Sequence, residues 1–107
     1  MLIVTTNDLP GYKVTRVIGE INGLTVRTRN VGAQFGAALK SIGGGELKGL
    51  TKQLQQARQE ALDRLTEAAQ AMGATAVLAV RYDSNELAGT FQEILAYGTA
   101  VIAEPIS

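Results

Sequence analysis

The 107-residue chain has no cysteine, no histidine and no tryptophan. Without cysteine there is no disulfide framework and no thiolate nucleophile, a composition that suits a reducing compartment. Without histidine the usual general base and the usual imidazole metal ligand are both missing. Ser-His-Asp and Cys-His catalytic constellations are therefore excluded. Charge of one sign is lacking too, since ten basic residues balance ten acidic ones. The chain as a whole exerts no pull on nucleic acid or on an acidic membrane. Its five aromatics are interleaved with no basic stripe and make no platform for bases. No window approaches the ~20 apolar residues that span a bilayer, and the apolar start Met1–Val4 is too short for a signal-peptide core. We therefore expect a soluble cytoplasmic protein without nucleic-acid or membrane partners. With no repeat, linker or low-complexity tract, residues 1–107 read as one domain.

What the chain does have is a long apolar periodicity. Leu47, Leu50, Leu54, Ala57, Ala61, Leu65, Ala68 and Met72 recur at steps of three and four, one stripe along one helix. That stretch of 26 residues spans about 39 Å at 1.5 Å per residue. Gly43-Gly44-Gly45 precede it and Gly73 follows, well placed as the left-handed residue that ends a helix.

Around this helix the pattern is that of strands. Leu2–Thr5 is short and β-branched, and Pro10-Gly11 suits the two central positions of a type II turn. Tyr12–Ile21 and Leu24–Thr28 flank Asn22-Gly23, a dipeptide that favours a two-residue hairpin turn. Asn30 is placed to cap a short helix over Val31–Ile42. Ala74–Asp83 and Thr90–Glu104 are the last two strands, joined by a polar Ser84–Gly89 connection and closed by Pro105. The expected fold is α+β in the order β-β-β-α-α-β-β, a small antiparallel or mixed sheet of four to five strands on one long helix.

The last two strands carry near-continuous apolar runs, which mark burial on both faces. One helix is ~10 Å wide and cannot cover both sides of a sheet about twice that width. The short helix could cover part of the second side; another subunit is the simpler cover.

Candidate sites follow from residue type and position. Arg27, Arg29 and Asn30 end one strand, while Arg81 and Asp83 end another; such Arg forks suit an anionic ligand, although an Arg–Asp pair pinning a loop or bridging subunits is the commoner arrangement. Glu60, Asp63 and Glu67, at i, i+3 and i+7, could offer oxygen to Ca²⁺ or Mg²⁺, against the commoner reading of a solvated acidic face. The Gly43–Gly45 run lacks the Gly-Lys-Ser/Thr of a phosphate loop, and Glu46 would repel an anion there, so it reads as a corner. Tyr82 and Tyr97 are more often core or interface than ligand platform in a sheet.

The combination Thr5-Thr6-Asn7 with Pro10-Gly11, Arg27-Thr28-Arg29-Asn30 and Gly44-Gly45-Glu46 resembles the YbjQ family, small bacterial proteins that carry a heavy-metal-binding label. Arg58 with Ala61, Gly73-Ala74, Arg81-Tyr82-Asp83 and Glu93-Ile94 with Ala96–Val101 extend the resemblance over nearly the whole chain. It implies a subunit similar to the small dodecin-like folds, assembled into a homopentameric ring, with no settled reaction. Soft metals prefer thiolate and imidazole, so the metal function is not carried over to a chain without either. The expectation is thus a homo-oligomer holding a small molecule between subunits or serving as a scaffold, with Arg27, Arg29, Asn30, Glu46, Arg81, Asp83 and Tyr97 as ligand-binding candidates. The alternatives are a carboxylate metal binder or an enzyme acting through Asp, Glu or Arg at a subunit junction. Neither a catalytic residue nor a metal ligand nor a cofactor is singled out.

Overall fold

Strand β1 (Leu2–Ile3) leads into β2 (Tyr12–Thr28), helix α1 (Gly44–Ala71), β3 (Ala76–Leu87) and β4 (Phe91–Pro105). The computed structural model describes residues 1–28, 44–88 and 91–106, and the expected Val31–Ile42 helix lies outside them. The four strands form one mixed sheet in the order β1-β3-β4-β2, parallel between β1 and β3 and antiparallel elsewhere.

The Asn22-Gly23 hairpin is not formed. β2 runs unbroken through it for 17 residues, with Asn22 opposite Tyr97 and Gly23 opposite Ala96. The glycine serves packing instead. A Cβ built on Gly23 would lie 2.1 Å from the carbonyl oxygen of Ala61 and 2.2 Å from the amide nitrogen of Leu65. The helix backbone rests directly on the strand at this point, where only glycine fits. Simple alternation along β2 also fails, because register shifts at Val14/Arg16 and Val17/Gly19 rotate its first half. Ile18 consequently packs on the same cluster as Ile21.

The helix stripe is narrower than its periodicity indicates. Ala57, Ala61, Leu65 and Ala69 are buried against Ile21, Val77, Val80, Ile94, Ala96 and Ala100, and Ala68 is half-buried beside them. Leu54 is 47% and Met72 50% exposed, so neither belongs to this core. Three alanines in the seam bring α1 close to the sheet, and a closely seated helix covers a narrow strip. Its end is as expected: Gly73 has φ +81°, the Gly73 amide donates to Gln70 O and the Ala74 amide to Ala69 O, a Schellman closure.

The connection expected at Ser84–Gly89 is shorter than read, since β3 continues to Leu87. Near its start β3 takes up an extra residue between Leu78 and Arg81, with Ala79 at φ 53°. The bulge turns the Ala79 amide onto Thr6 O and the Val80 amide onto Val4 O, tying the N-terminal segment to the sheet. It presses on Gly98, where a Cβ would meet Leu78 O at 2.8 Å. The Pro10-Gly11 turn closes as anticipated, with Tyr12 N donating to Leu9 O at 2.9 Å and Gly11 at φ +87°.

On the face away from α1, Leu9, Ala76, Leu78 and Val101 form a second small cluster with Val4 and Ala103. The rest of that face carries Leu24, Val26, Leu87, Phe91 and Tyr97, all exposed, with half-buried Leu95 between them.

Candidate functional site

The sheet margins decide which candidate residues can meet. β2 and β3 lie on opposite sides of β4. Arg27 is level with Gln92 and Glu86, whereas Arg81 is level with Tyr97 and Asn22. Five residues of strand, about 17 Å, separate the two rows.

Each of these groups has a local partner. Arg27 donates to Glu60 of α1 at 2.8 Å; the same carboxylate takes Arg64 at 2.7 Å and the hydroxyl of buried Thr25 at 3.1 Å. Arg64 also donates to Leu24 O. One glutamate thus fixes the helix on β2 through two guanidiniums and a hydroxyl. Arg81 spans to Thr5 O at 2.7 Å and Val80 O at 2.9 Å, holding the N-terminal segment, and Asp83 Oδ1 accepts from the Ser84 amide at 2.9 Å. Tyr97 lies on the open face of the sheet. Glu46 falls in the first turn of α1, while Arg29 and Asn30 lie outside the described residues. One subunit does not gather Arg27 with Arg81, Asp83 and Tyr97.

What the structure brings together is a different set. A groove of about 460 Å³ runs between the middle of α1 and the far halves of β3 and β4. Its helix wall is Thr51, Leu54, Gln55 and Arg58; its sheet wall is Tyr82, Ser84, Gln92 and Ile94, with Asp83 at the strand edge. This volume is in the range of small-molecule sites. The Arg58 guanidinium carbon stands 5.3 Å from the centroid of the Tyr82 ring, a cation–π contact. Across the sheet, Gln92 Nε2 donates to Ser84 Oγ at 3.0 Å. The wall thus combines an apolar floor, Leu54 and Ile94, with a cation and several amide and hydroxyl groups.

The sequence pattern does not point to this groove. The helical period puts Leu54 in the core, and Arg58 is one helix position past buried Ala57, where a long side chain is usually a solvated flank. The available signal was the alternation Val80, Tyr82, Ser84, which places a tyrosine and a hydroxyl on the helix side of β3.

Comparison with known proteins supplies the family. Residues 1–104 match the family model described as "Putative heavy-metal-binding". The chain belongs to the YbjQ family. It is 57% identical over 106 residues to a UPF0145 protein of Streptomyces griseus, covering 99% of this chain and 88% of that one. It is 58% identical over 102 residues to one of Streptomyces coelicolor, covering 95% and 96%. A relative in the archaeon Sulfurisphaera tokodaii is 50% identical over 102 residues, covering 95% and 90%, so the YbjQ relatives are not confined to bacteria. The fold is similar to that of a solved protein of unknown function from Pediococcus pentosaceus, of the DUF74 family, at TM-score 0.62 and 16% identity over 97% of this chain and 98% of that one.

The family's description implies ligands that suit a heavy-metal ion. The chain has neither cysteine nor histidine, and the described residues contain no cluster of three carboxylates able to hold an ion. Of the acidic trio on α1, Glu60 is engaged by Arg27, Arg64 and Thr25, and Asp63 accepts from Gln59 Nε2 at 2.8 Å. These donors do not fit a soft metal ion. Among the described residues no helix is long and apolar enough to cross a membrane.

Proposed function

We propose that this YbjQ chain is a dodecin-like subunit of a closed homo-oligomer, a ring of five by its family resemblance, which holds a small molecule at the groove of each subunit. The carrying observation is the position of that groove beside one of two strand edges that are open among the described residues. β2 is paired only with β4, and β3 from Arg81 to Asn85 is paired only with β4, among the described residues. The two edges lie on opposite sides of one sheet, the arrangement that supports head-to-tail addition of copies and closes as a ring.

Two further features support assembly. The radius of gyration is 17.2 Å, against about 13 Å for a compact domain of this length. The exposed row Leu24, Val26, Phe91 and Leu87 on the open sheet face is an aggregation hazard in a monomer. A neighbour added at the β3 edge would stand beside Tyr82, Asp83 and Ser84 and wall the groove on that side, which makes the site one between subunits. The same addition is the route by which Arg27 of one copy could approach the Arg81 end of another. Light scattering behind size exclusion tests the assembly: a mass several times 11.3 kDa at micromolar concentration is expected, and a stable particle of 11.3 kDa refutes it. Native mass spectrometry of the assembly tests the ligand role, through adducts lost on substitution of groove residues.

A further inference from the structure

The groove's chemistry narrows its ligand. We infer that it takes an amphipathic aromatic monoanion, such as an aryl carboxylate or sulfonate, with the acid group on Arg58 and Ser84 and the ring system on Leu54 and Ile94. This inference rests on the ligand-binding reading given above.

Among the described residues no carboxylate lies within ion-pair distance of Arg58, and its contact is the face of Tyr82. A guanidinium with no carboxylate upon it keeps N–H groups for a planar acid group, which arginine can bind bidentately. Ser84 Oγ already accepts from Gln92, so its own proton remains to be donated. Asp83, opposite Leu95 in register and so on the other sheet face, accepts from the Ser84 amide through its carboxylate. Arg58 and Ser84 therefore both offer donors to the groove.

The remainder of the lining selects the body of the ligand. Ile94 is buried at the base and Leu54 is 47% exposed beside it, an apolar surface left open by a helix that seats elsewhere. A flat ring fits against these two side chains. One cation matches one negative charge. A phosphate dianion is normally met by several N–H donors, such as a helix N-terminus, and α1 begins at Gly44, seven residues before the first lining residue Thr51.

The test compares two fluorescent probes that differ in one acid group, 8-anilinonaphthalene-1-sulfonate and neutral N-phenyl-1-naphthylamine, on the intact protein. The sulfonate is expected to bind saturably, one per chain and more tightly than the neutral probe. Arg58→Gln should weaken the sulfonate about tenfold, the loss of one charge-assisted contact, and leave the neutral probe unchanged. Leu54→Glu should weaken both, with the far-ultraviolet spectrum and the assembled mass unaltered because Leu54 lies outside the core. Equal affinity for the two probes, both lost in Leu54→Glu, would overturn the anion requirement and leave the groove as a ligand site. Binding of both probes unaffected by either substitution, or no binding of either, overturns the groove itself.

Discussion

Replacing Gly23 by alanine should destabilise the protein more than any other single methyl added to the described sheet. The new Cβ would sit 2.1 Å from Ala61 O and 2.2 Å from Leu65 N, both backbone atoms of α1. Real contacts of this kind begin near 3 Å, so helix and strand must part by about 1 Å, and no side-chain rotation can relieve a backbone clash. Parting them loosens the seam of Ala57, Ala61, Leu65 and Ala69 along its length. Overpacking costs about 1–3 kcal/mol, and a clash with backbone belongs at the upper end. Alanine returns about 0.5 kcal/mol by restricting the unfolded chain, leaving a net loss of about 2–3 kcal/mol. For a chain of this size that is a melting temperature lower by about 10–20 °C. The assay is thermal unfolding by circular dichroism at one fixed protomer concentration. Gly49→Ala is the control: Gly49 is in the same helix with nothing within 4 Å of its added Cβ, and it should gain about 0.5–1 kcal/mol. Gly23→Asn separates the contact from a turn. A hairpin turn would accept asparagine better than alanine, whereas the helix contact accepts it worse. Gly23→Asn melting above Gly23→Ala refutes the helix-on-strand reading.

Other outcomes follow from the same seam and its polar lock. Leu65→Asp, at a fully buried site, should abolish the folded subunit, whereas Leu54→Asp should cost less than about 1 kcal/mol; chemical denaturation distinguishes them, and equal losses would place the stripe on the wrong face. Glu60→Ala should cost about 1–2 kcal/mol, because Thr25 at 2% exposure loses its acceptor while the two half-exposed guanidiniums lose less. Glu60→Gln keeps an acceptor for Thr25 and should cost less than Glu60→Ala, as read by urea titration at high salt. Isothermal titration with Zn²⁺ and Cu²⁺ at neutral pH should show no submicromolar site in untagged protein, the expectation for a chain without thiolate or imidazole.

The parts of the fold that were legible are those whose signal is local. The Schellman end at Gly73 and the Pro10-Gly11 turn depend on a few neighbouring residues, and both formed as their sequence indicates. The long helix was visible because a 3.6-residue period persists over many turns. The failures are non-local. Asn22-Gly23 carries a strong hairpin signal, yet the strand passes straight through because Ala61 and Leu65, some forty residues later, need the space. Leu54 and Met72 fit the period but not the width of contact, which alanine at 57, 61 and 69 sets by drawing α1 close. The bulge at Ala79 could not be read, since it exists to direct two amides at Val4 and Thr6. The groove was hidden for the same reason: Arg58 and Tyr82 become neighbours only through the antiparallel return of β4 beside β3 and the crossing of α1 over both.

The small residues that let α1 sit close also limit what one subunit gains by folding. Seven of the buried core positions, Ala57, Ala61, Ala69, Ala74, Ala76, Ala96 and Ala100, are alanine. Burial is worth about 25 cal/mol per Å² of apolar surface, so a methyl contributes a fraction of what a leucine does. Larger apolar groups are meanwhile exposed: Leu24, Val26, Phe91 and Leu87 on the open face, and Val17, 64% exposed, on β2. A subunit that buries this many alanines and leaves Leu24, Val26, Leu87, Phe91 and Val17 exposed should draw much of its stability from association. Its melting temperature should then depend on concentration, falling by several degrees between about 100 and 1 μM protomer, as mass action requires when unfolding and dissociation are coupled. Val26→Lys, exposed and remote from the α1 seam, should reduce both the assembled mass and the melting temperature. A melting temperature constant over that dilution, with Val26→Lys unchanged in mass, would show that the alanine core is sufficient alone.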